Sequence, residues 1–257
     1  MGNKGDKRSL ATFHGREGLG TLYVVATPIG NLEDITLRAV RIFSEVDIIL
    51  AEDTRVTKKL LSSLNAKWQM KNAKLVSYHQ HSGEEKKLEI LKFLLDGKNI
   101  ALVSDAGTPG ISDPGNELID YLLSYKPDLK IIPIPGASAI TAALSVSGFR
   151  ADKFLFLGFW PKKKVKRLIE LIKLVSKGPS TSSGRMSTFV FYESPFRILR
   201  TLETLEKAFG SDLRVFVGRE LTKMHETVYR GRIRKVKEKL SKEKIKGEMV
   251  VVVELHY

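Results

Sequence analysis

The chain reads Ile100-Ala-Leu-Val-Ser104 and then Asp105-Ala-Gly-Thr-Pro-Gly-Ile-Ser-Asp-Pro-Gly115, an apolar run that passes straight into a loop. Three glycines and two prolines in those last eleven residues cannot continue a helix or a strand, because glycine is too free and proline lacks an N–H donor. An apolar run that ends in such a loop is typical of a buried strand in an α/β protein, where strand-end loops bind the ligand.

Two further loops of the same kind follow apolar runs: Thr27-Pro-Ile-Gly-Asn31 and Pro133-Ile-Pro-Gly-Ala-Ser-Ala139. We expect the three loops to form one composite pocket; the alternative is three tight turns that only connect elements. Neither a G-x-G-x-x-G fingerprint nor a Walker phosphate loop is present, which disfavours the common dinucleotide and triphosphate sites. Backbone groups with little side-chain bulk instead suit a flat, partly polar ligand such as an adenosine moiety.

Short β-rich runs alternate with amphipathic stretches along most of the chain. Strands are predicted at residues 22–26, 47–51, 74–78, 100–104, 130–134, 154–158, 188–192, 214–218 and 249–255. Helices are predicted at residues 34–44, 55–64, 84–95, 115–124, 138–146, 165–176, 195–209 and 233–244. The alternation predicts an α/β protein with a largely parallel sheet, and the less regular second half is expected to mix in antiparallel strands.

The domain boundary is predicted at residues 147–152, after a helix and before a new strand. It separates an N-terminal α/β domain at residues 20–147 from a C-terminal α/β domain at residues 148–257. Residues 1–19 are interpreted as a basic flexible tail, and residues 177–187 as a flexible low-complexity loop.

Composition excludes several classes of protein. The chain of 257 residues contains no cysteine, which rules out disulfides, thiolate nucleophiles and cysteine-ligated metal sites. No signal peptide is recognisable, and the longest uncharged run, residues 131–149, contains prolines and glycines that make it a poor membrane-spanning helix. We expect a cytoplasmic protein with no membrane association.

The positive charge is concentrated in one half. Residues 1–136 carry 18 Lys and Arg against 17 Asp and Glu, whereas residues 137–257 carry 25 against 12, a difference of +13. Two basic clusters stand out there: Lys162, Lys163, Lys164, Lys166 and Arg167 after Phe159-Trp-Pro161, and Arg230, Arg232 and Arg234 leading into further lysines. Lysines beside aromatic rings suit RNA, since rings stack on unpaired bases while ammonium groups contact phosphates.

Four motifs contain ionisable side chains that are candidates for catalysis or for binding a substrate or metal. In Ala51-Glu-Asp-Thr-Arg55 the carboxylates could act as a general base or hold a hydroxyl, although Asp53 or Thr54 could simply cap a helix. Tyr78-His-Gln-His81 lacks a third ligand at a recognisable spacing, so we expect no metal. Phe191-Tyr-Glu-Ser-Pro-Phe-Arg197 could line a pocket or be an ordinary turn, and residues 218–231 could orient a substrate or be a solvated surface.

Six motifs together resemble a known family: Leu22-Tyr-Val-Val-Ala-Thr-Pro-Ile-Gly-Asn-Leu-Glu-Asp-Ile-Thr36, Ala51-Glu-Asp-Thr-Arg55, Ser104-Asp-Ala-Gly-Thr-Pro-Gly-Ile-Ser-Asp-Pro-Gly115, Pro135-Gly-Ala-Ser-Ala139, Phe191-Tyr-Glu-Ser-Pro195 and Gly218-Arg-Glu-Leu-Thr222. They are similar, in order, to the tetrapyrrole methylase-like superfamily of S-adenosylmethionine enzymes, and within it to the methyltransferases of small-subunit ribosomal RNA. The resemblance extends from about Gly20 to Leu255.

The resemblance implies two α/β domains of the class III S-adenosylmethionine methyltransferase type, with the cofactor in the interdomain cleft, and a homodimer. It implies 2′-O-methylation of a cytidine ribose in the decoding region of 16S (small-subunit) ribosomal RNA, acting on the RNA or a ribosomal subunit. Two rival functions remain: a tetrapyrrole methyltransferase, and a non-catalytic RNA-binding protein of ribosome assembly.

Site residues carry over motif by motif. The cofactor contacts implied by the resemblance are Pro28, Ile29, Gly30, Asp105, Ala106, Gly107, Thr108, Ile111, Ser112, Ser138, Ala139, Tyr192 and Glu193. The hydroxyl must lose a proton, and the candidate bases are Asp53 and Glu226. Substrate or RNA contacts are expected from Glu52, Arg55, His79, Lys162, Lys163, Lys164, Arg197, Lys223, Arg230, Arg232 and Arg234.

Overall fold

A computed structural model describes residues 18–68, 73–176 and 188–255. The chain divides into two compact units: the first comprises Met1–Pro28 and Leu32–Ala137, and the second comprises Ile29–Asn31 and Ser138–Tyr257. The predicted tail lies almost wholly outside the described residues, and the low-complexity loop lies outside them entirely.

The first unit is built on a five-stranded parallel sheet. Its strands are β1 (Leu22–Val25), β2 (Ile48–Ala51), β3 (Lys74–Ser77), β4 (Ile100–Val103) and β5 (Ile131–Ile134), in the order β3-β2-β4-β1-β5. The connecting helices are α1 (Leu37–Glu45), α2 (Thr54–Trp68), α3 (Glu84–Leu95) and α4 (Asn116–Tyr125), and a 3-10 turn lies at Leu32–Asp34.

Strand residues alternate between two apolar cores, one on each face of this sheet. Leu50 and Leu102 pack with buried leucines of α3 and α4, whereas Ile49 and Val103 pack with residues of α1 and α2. The strand order shows that the chain continues from β1 to β2 and β3 at one edge of the sheet, and from β4 to β5 at the other edge. The neighbouring strands β4 and β1 are therefore the switch point of the sheet. In open parallel sheets, ligands bind at the carboxyl ends of the strands at that point.

The second unit contains a mixed five-stranded sheet. Its elements are α5 (Ala139–Ser147), β6 (Phe154–Phe159), α6 (Val165–Ser176), β7 (Thr188–Glu193), α7 (Ile198–Phe209), β8 (Arg214–Arg219), β9 (Thr227–Arg232), α8 (Ile233–Ser241) and β10 (Met249–Glu254). The strand order is β6-β7-β10-β8-β9; β6 and β7 are parallel and the other pairs are antiparallel. Helices α6, α7 and α8 pack on one face, and α5 packs on the other.

The predicted α/β class, the parallel first sheet and the mixed second sheet are confirmed. The sequence reading missed β9, because alternating Tyr229 (buried) and Arg230 (exposed) occur inside what was interpreted as a charged surface. β9 is an edge strand, where outward charges are common because they discourage pairing with other chains.

The division between the units lies at Ala137 and Ser138, ahead of the predicted boundary at residues 147–152. The physical reason is the packing of α5. Its side chains Ile140 and Leu144 belong to a core with Phe216 and Val250 of the second sheet, so the helix is part of the second unit.

No helix in the described part of the chain is both long and apolar enough to cross a membrane.

Candidate active site

The carboxyl edge of the first sheet brings the three glycine- and proline-rich loops together. Thr27 and Gly107 exchange two backbone hydrogen bonds, with N···O distances of 2.9 and 3.1 Å, which join the loops after β1 and β4 at the switch point. The Thr108 hydroxyl donates to the carbonyl of Ala137 at 3.4 Å and so joins the loop after β5. The expected proximity of these loops is therefore present within the first unit.

The loop after β4 needs backbone conformations that favour glycine. Gly107 and Gly110 both have φ of +81°, and Ser112 adopts φ of +63°. The Asn116 side chain donates from Nδ2 to the carbonyl of Gly110 at 2.7 Å, which ties the loop to the start of α4. The loop is consequently held in one shape with small side chains, leaving main-chain groups near the surface.

The loop after β5 approaches β1 closely. A Cβ built on Gly136 would lie 3.0 Å from the Cβ of Ala26, tighter than ordinary packing. Ala106 and Gly136 are both exposed. This edge therefore presents small residues at a surface where backbone groups can be read by a flat ligand.

Three carboxylates gather beside these loops: Glu52 after β2, and Asp105 and Asp113 after β4. Asp105 Oδ1 accepts the backbone N–H of Asp53 at 3.0 Å, and the Glu52 carboxylate accepts the backbone N–H of Asp105. Burial, Asp113 and Asp105 raise the pKa of Glu52, and burial raises the pKa of Asp113. Asp113 was not among the site residues predicted from the sequence. Its position after β4, like that of Glu52 after β2, could have indicated it.

Asp53 has the opposite environment to Glu52. Its carboxylate accepts hydrogen bonds from the Arg55 guanidinium, the shortest at 2.7 Å, and from the Arg55 backbone N–H at 2.8 Å. These contacts lower the pKa of Asp53 to about 2. Asp53 thus caps the start of α2, the alternative raised from the sequence, and a carboxylate this acidic is a weak proton acceptor at neutral pH.

The histidine pair after β3 is exposed. The His79 ring nitrogen Nδ1 accepts the backbone N–H of His81 at 3.2 Å, and the His79 N–H donates to the hydroxyl of Ser82 at 3.0 Å. Across the described ranges, no three His, Cys, Asp or Glu side chains are grouped so that they could hold a metal ion.

In the second unit, the Glu193 carboxylate is buried and already saturated. It accepts hydrogen bonds from the Ser194 N–H at 2.6 Å and the Thr201 hydroxyl at 2.5 Å, and pairs with Arg197 at 2.6 Å. Arg197 also donates to the carbonyl of Trp160 at 3.0 Å. Glu193, expected at the cofactor, and Arg197, expected at the RNA, therefore form an ion pair that links the loops after β6 and β7; we call this pair the internal clamp.

Tyr192 lies on the other face of β7. Its ring is half-buried, 5.4 Å from the ring of Phe156 and 5.2 Å from that of Phe159. Ser138 stands at the N-cap of α5, and its carbonyl accepts the N–H of Ala142 at 2.9 Å.

Lys223 is also paired within the second unit. Its ammonium group contacts Glu248 at 2.8 Å and Glu220 at 3.0 Å; although partial burial opposes the effect, these carboxylates raise the pKa of Lys223. The Glu226 carboxylate accepts the N–H of Thr222 at 2.6 Å. Ile29–Asn31 packs against the same turn, since a Cβ on Gly30 would lie 2.3 Å from Lys223 Cγ.

The predicted basic residues divide into paired and unpaired groups. Arg230 lies over the ring of Phe216 at 5.6 Å and donates to the carbonyl of Val146, and Arg232 pairs with Asp212 at 3.2 Å. Lys162, Lys163 and Lys164 are exposed and have no carboxylate partner among the described residues. Arg234 is exposed on α8.

The topology and a family comparison agree on the class of protein. The model of the tetrapyrrole (corrin/porphyrin) methylases matches residues 21–237, which span both sheets apart from β10. The chain belongs to this methyltransferase family, and the resemblance seen in the motifs is confirmed.

Curated relatives narrow the comparison. The chain is 42% identical over 243 residues to the Ribosomal RNA small subunit methyltransferase I of Halalkalibacterium halodurans, covering 95% of this chain and 78% of that protein. It is also 42% identical over 235 residues to the protein of the same name from Thermotoga maritima, covering 91% of this chain and 98% of that protein.

Solved structures share the fold at low sequence identity. A cobalt precorrin-4 methyltransferase of cobalamin biosynthesis aligns with a TM-score of 0.66 at 16% identity, covering 91% of this chain and 94% of that one. A Thermus thermophilus uroporphyrin-III C-methyltransferase, complexed with S-adenosylhomocysteine, aligns with a TM-score of 0.61 at 17% identity, covering 91% and 97%. The class III S-adenosylmethionine methyltransferase fold is therefore confirmed. S-adenosylmethionine, the cofactor that the resemblance implied, is confirmed as the cofactor of this methyltransferase family.

Proposed function

We propose that the protein methylates the 2′-oxygen of a cytidine ribose in the decoding region of 16S (small-subunit) ribosomal RNA, using S-adenosylmethionine. The observation that carries this is the 42% identity, over more than nine-tenths of the chain, to proteins named for small-subunit ribosomal RNA methylation. The 2′-hydroxyl is also the group that distinguishes RNA from DNA, so an enzyme that modifies it needs RNA contacts.

The carboxyl edge of the first sheet fits the cofactor. We infer that Ala106 and Thr108 present backbone groups to it, while Gly107, whose own backbone groups are bonded to Thr27, holds the loop in place. Pro28, Ile111 and Ser112 lie in the same loops. The support is the joined loops, their small exposed residues and their place at the switch point of the sheet. When bound, the cofactor supplies a methyl group on a sulfonium, which is a strong electrophile.

We infer that Glu52, rather than Asp53, removes the proton of the ribose hydroxyl. Glu52 lies at the same sheet edge and is oriented by the N–H of Asp105. Burial and the neighbouring Asp113 and Asp105 raise its pKa towards the working range of a general base, whereas Arg55 keeps Asp53 acidic. A positioned base contributes typically ~10²–10⁴-fold to such a step. Glu226, exposed and bonded to Thr222, remains the candidate from the second unit.

The tetrapyrrole function is the rival within the family. The two solved structures are tetrapyrrole methyltransferases, but they share only 16–17% identity with the chain and so support the fold alone. A non-catalytic assembly protein would leave a site of this construction unused. The proposal also includes a homodimer and, since ribosomal RNA is the proposed substrate, a cytoplasmic location.

Competition between acceptors tests the class of substrate. Purified protein and labelled S-adenosylmethionine are incubated with small ribosomal subunits lacking the modification, with naked 16S RNA, and with a uroporphyrinogen-type tetrapyrrole. Label in the subunits or in the naked RNA, with none in the tetrapyrrole, supports the proposal. A comparison of the two RNA preparations shows which form is the substrate. Label in the tetrapyrrole alone would replace it with the rival, and cofactor binding without transfer to any acceptor would also contradict it.

A further inference from the structure

Among the exposed large apolar side chains of the second unit, three lie at or just after the ends of strands. Phe196 and Met224 are each 94% exposed and Phe159 is 63% exposed. Single exposed apolar residues are ordinary on protein surfaces, but a group of them at one place marks an interaction site.

Strand register puts all three at the same edge of the second sheet. Phe159, at the end of β6, is paired with Tyr192; Met249 of β10 is paired with both Glu193 and Arg219. The carboxyl ends of β6, β7 and β8 are therefore aligned. Phe159 ends β6, Phe196 follows β7 and Met224 follows β8. With strands about 4.8 Å apart, the four strands from β6 to β8 span roughly 15 Å.

The loop that carries Phe196 is tightly hydrogen-bonded. The Ser194 carbonyl accepts the N–H groups of Arg197 and Ile198 at 3.0 and 3.1 Å, and the Ser194 hydroxyl accepts the N–H of Phe196 at 3.3 Å. The Arg197 guanidinium links this turn to the segment after Phe159 by its bond to the Trp160 carbonyl. The backbone itself therefore turns the Phe196 ring outwards.

The loop that carries Met224 is also ordered. Lys223 N–H donates to the Glu220 carbonyl at 3.0 Å, and Glu226 N–H donates to the Lys223 carbonyl at 3.0 Å. The ion pairs of Lys223 with Glu220 and Glu248 hold the loop against the start of β10. The exposure of Met224 is thus a fixed feature of the turn.

The charge beside these side chains is positive. Lys162, Lys163 and Lys164 follow Phe159 after two intervening residues, are exposed, and pair with no carboxylate in the described part of the chain. Residues 137–257 carry an excess of +13 overall. Rings that offer a face to solvent next to free ammonium groups match single-stranded RNA, whose bases stack on aromatics while its phosphates meet cations.

We propose that this edge, formed by Phe159, Lys162–Lys164, Phe196 and Met224, binds unpaired nucleotides of the RNA substrate. Phe159 and Phe196 stack on bases, Met224 adds apolar contact and the lysines contact the backbone phosphates. The inference rests on the proposed function only in taking RNA as the substrate class.

The test is binding of a fluorescein-labelled, unstructured oligocytidylate of about 12 nucleotides, within the usual site size of single-strand binders, followed by anisotropy without cofactor. Phe159→Ala and Phe196→Ala are each expected to weaken binding roughly 5- to 150-fold, the loss of one stacked base. Phe196→Tyr keeps a ring and should bind as the unaltered protein does. Leu174→Ala is the matched control, because Leu174 is 71% exposed near the end of α6 that leads towards the opposite sheet edge.

Unchanged affinity in both alanine variants would overturn the proposal. The proposal would also be overturned if either alanine variant had a lower molecular mass by light scattering than the unaltered protein and an unchanged RNA affinity. That result would show that a second copy of the chain covers this edge. Methyl transfer to ribosomal subunits by a protein that does not bind the oligonucleotide contradicts the proposed edge and leaves the enzyme function intact. Ring-dependent binding without methyl transfer supports the edge and contradicts the enzyme function.

Discussion

Glu52 and Asp53 are adjacent in sequence, yet their surroundings drive their proton affinities apart. Glu52 is half-buried beside two other acids, while Asp53 is held by the Arg55 guanidinium and N–H. Pairs of carboxylates whose environments differ in this way commonly divide the roles of base and structural anion. The sequence pattern indicates both Glu52 and Asp53 as candidate catalytic carboxylates. Their contacts in the structure distinguish the candidate base from the carboxylate that caps the helix.

The pH dependence of methyl transfer tests the role of Glu52. A base acts when deprotonated, so the rate should rise with pH through a pKa raised above the ordinary 4.5 of the side chain. Glu52→Gln should lower kcat by roughly 10²–10⁴-fold and remove this acidic limb. Asp53→Asn is the control: the pKa of Asp53, about 2, lies below the measured range, so the limb should persist. A Glu52→Gln enzyme with the limb unchanged would exclude Glu52 as the base.

Glu193 presents a choice between stability and cofactor binding. Removing its carboxylate would leave Arg197 without its buried partner and the Thr201 hydroxyl without an acceptor. Glu193→Ala should therefore reduce the free energy of unfolding by roughly 3 kcal/mol in urea titrations, the lower end for broken buried pairs because Arg197 is partly exposed. Glu203→Ala, exposed on α7, the helix that carries Thr201, is the control. Undiminished stability with lost cofactor affinity would instead make Glu193 a direct cofactor ligand.

At the scale of elements, the loop between β4 and α4 contains opposite tests of backbone strain. Gly110→Ala places a Cβ 2.6 Å from Asn116 Oδ1 at φ of +81°, so it should destabilise the protein by at least about 1–2 kcal/mol. Ser112→Gly removes a side chain from φ of +63° and should leave stability equal or higher. Thermal unfolding of the two variants measures both effects; equal destabilisation by both would show that this backbone conformation is not retained in solution.

Most elements could be predicted from apolar periodicity and from glycine and proline punctuation, and α3 and α6 match their predicted bounds. β9 could not, because an edge strand with outward arginines has too few apolar residues to stand out from a charged surface. Contacts between distant residues were equally hidden. The bond from Arg197 to Trp160, and the orientation of Glu193 into that clamp, depend on the pairing of β6 with β7.

At the scale of the whole molecule, the asymmetry of charge predicts salt-sensitive RNA binding. Counterion release from single strands changes the logarithm of the affinity by about 0.7 per phosphate contact for each logarithmic unit of salt. Replacing Lys162, Lys163 and Lys164 by Gln should therefore reduce the salt slope by about 2. Lys58, Lys59 and Lys92, exposed in the first unit, provide a matched triple replacement that should leave the slope unchanged. An unaltered slope in the triple variant would remove these lysines from the interface.

The proposed reaction itself is tested most directly by locating the transferred methyl group. Small ribosomal subunits that lack the modification are incubated with the protein and labelled S-adenosylmethionine, and the RNA is then mapped for alkali-resistant ribose positions. We expect label at the 2′-oxygen of one cytidine in the decoding region, and none without the protein. Label on a base, on another region of the RNA, or on no position despite cofactor binding would contradict the proposed function.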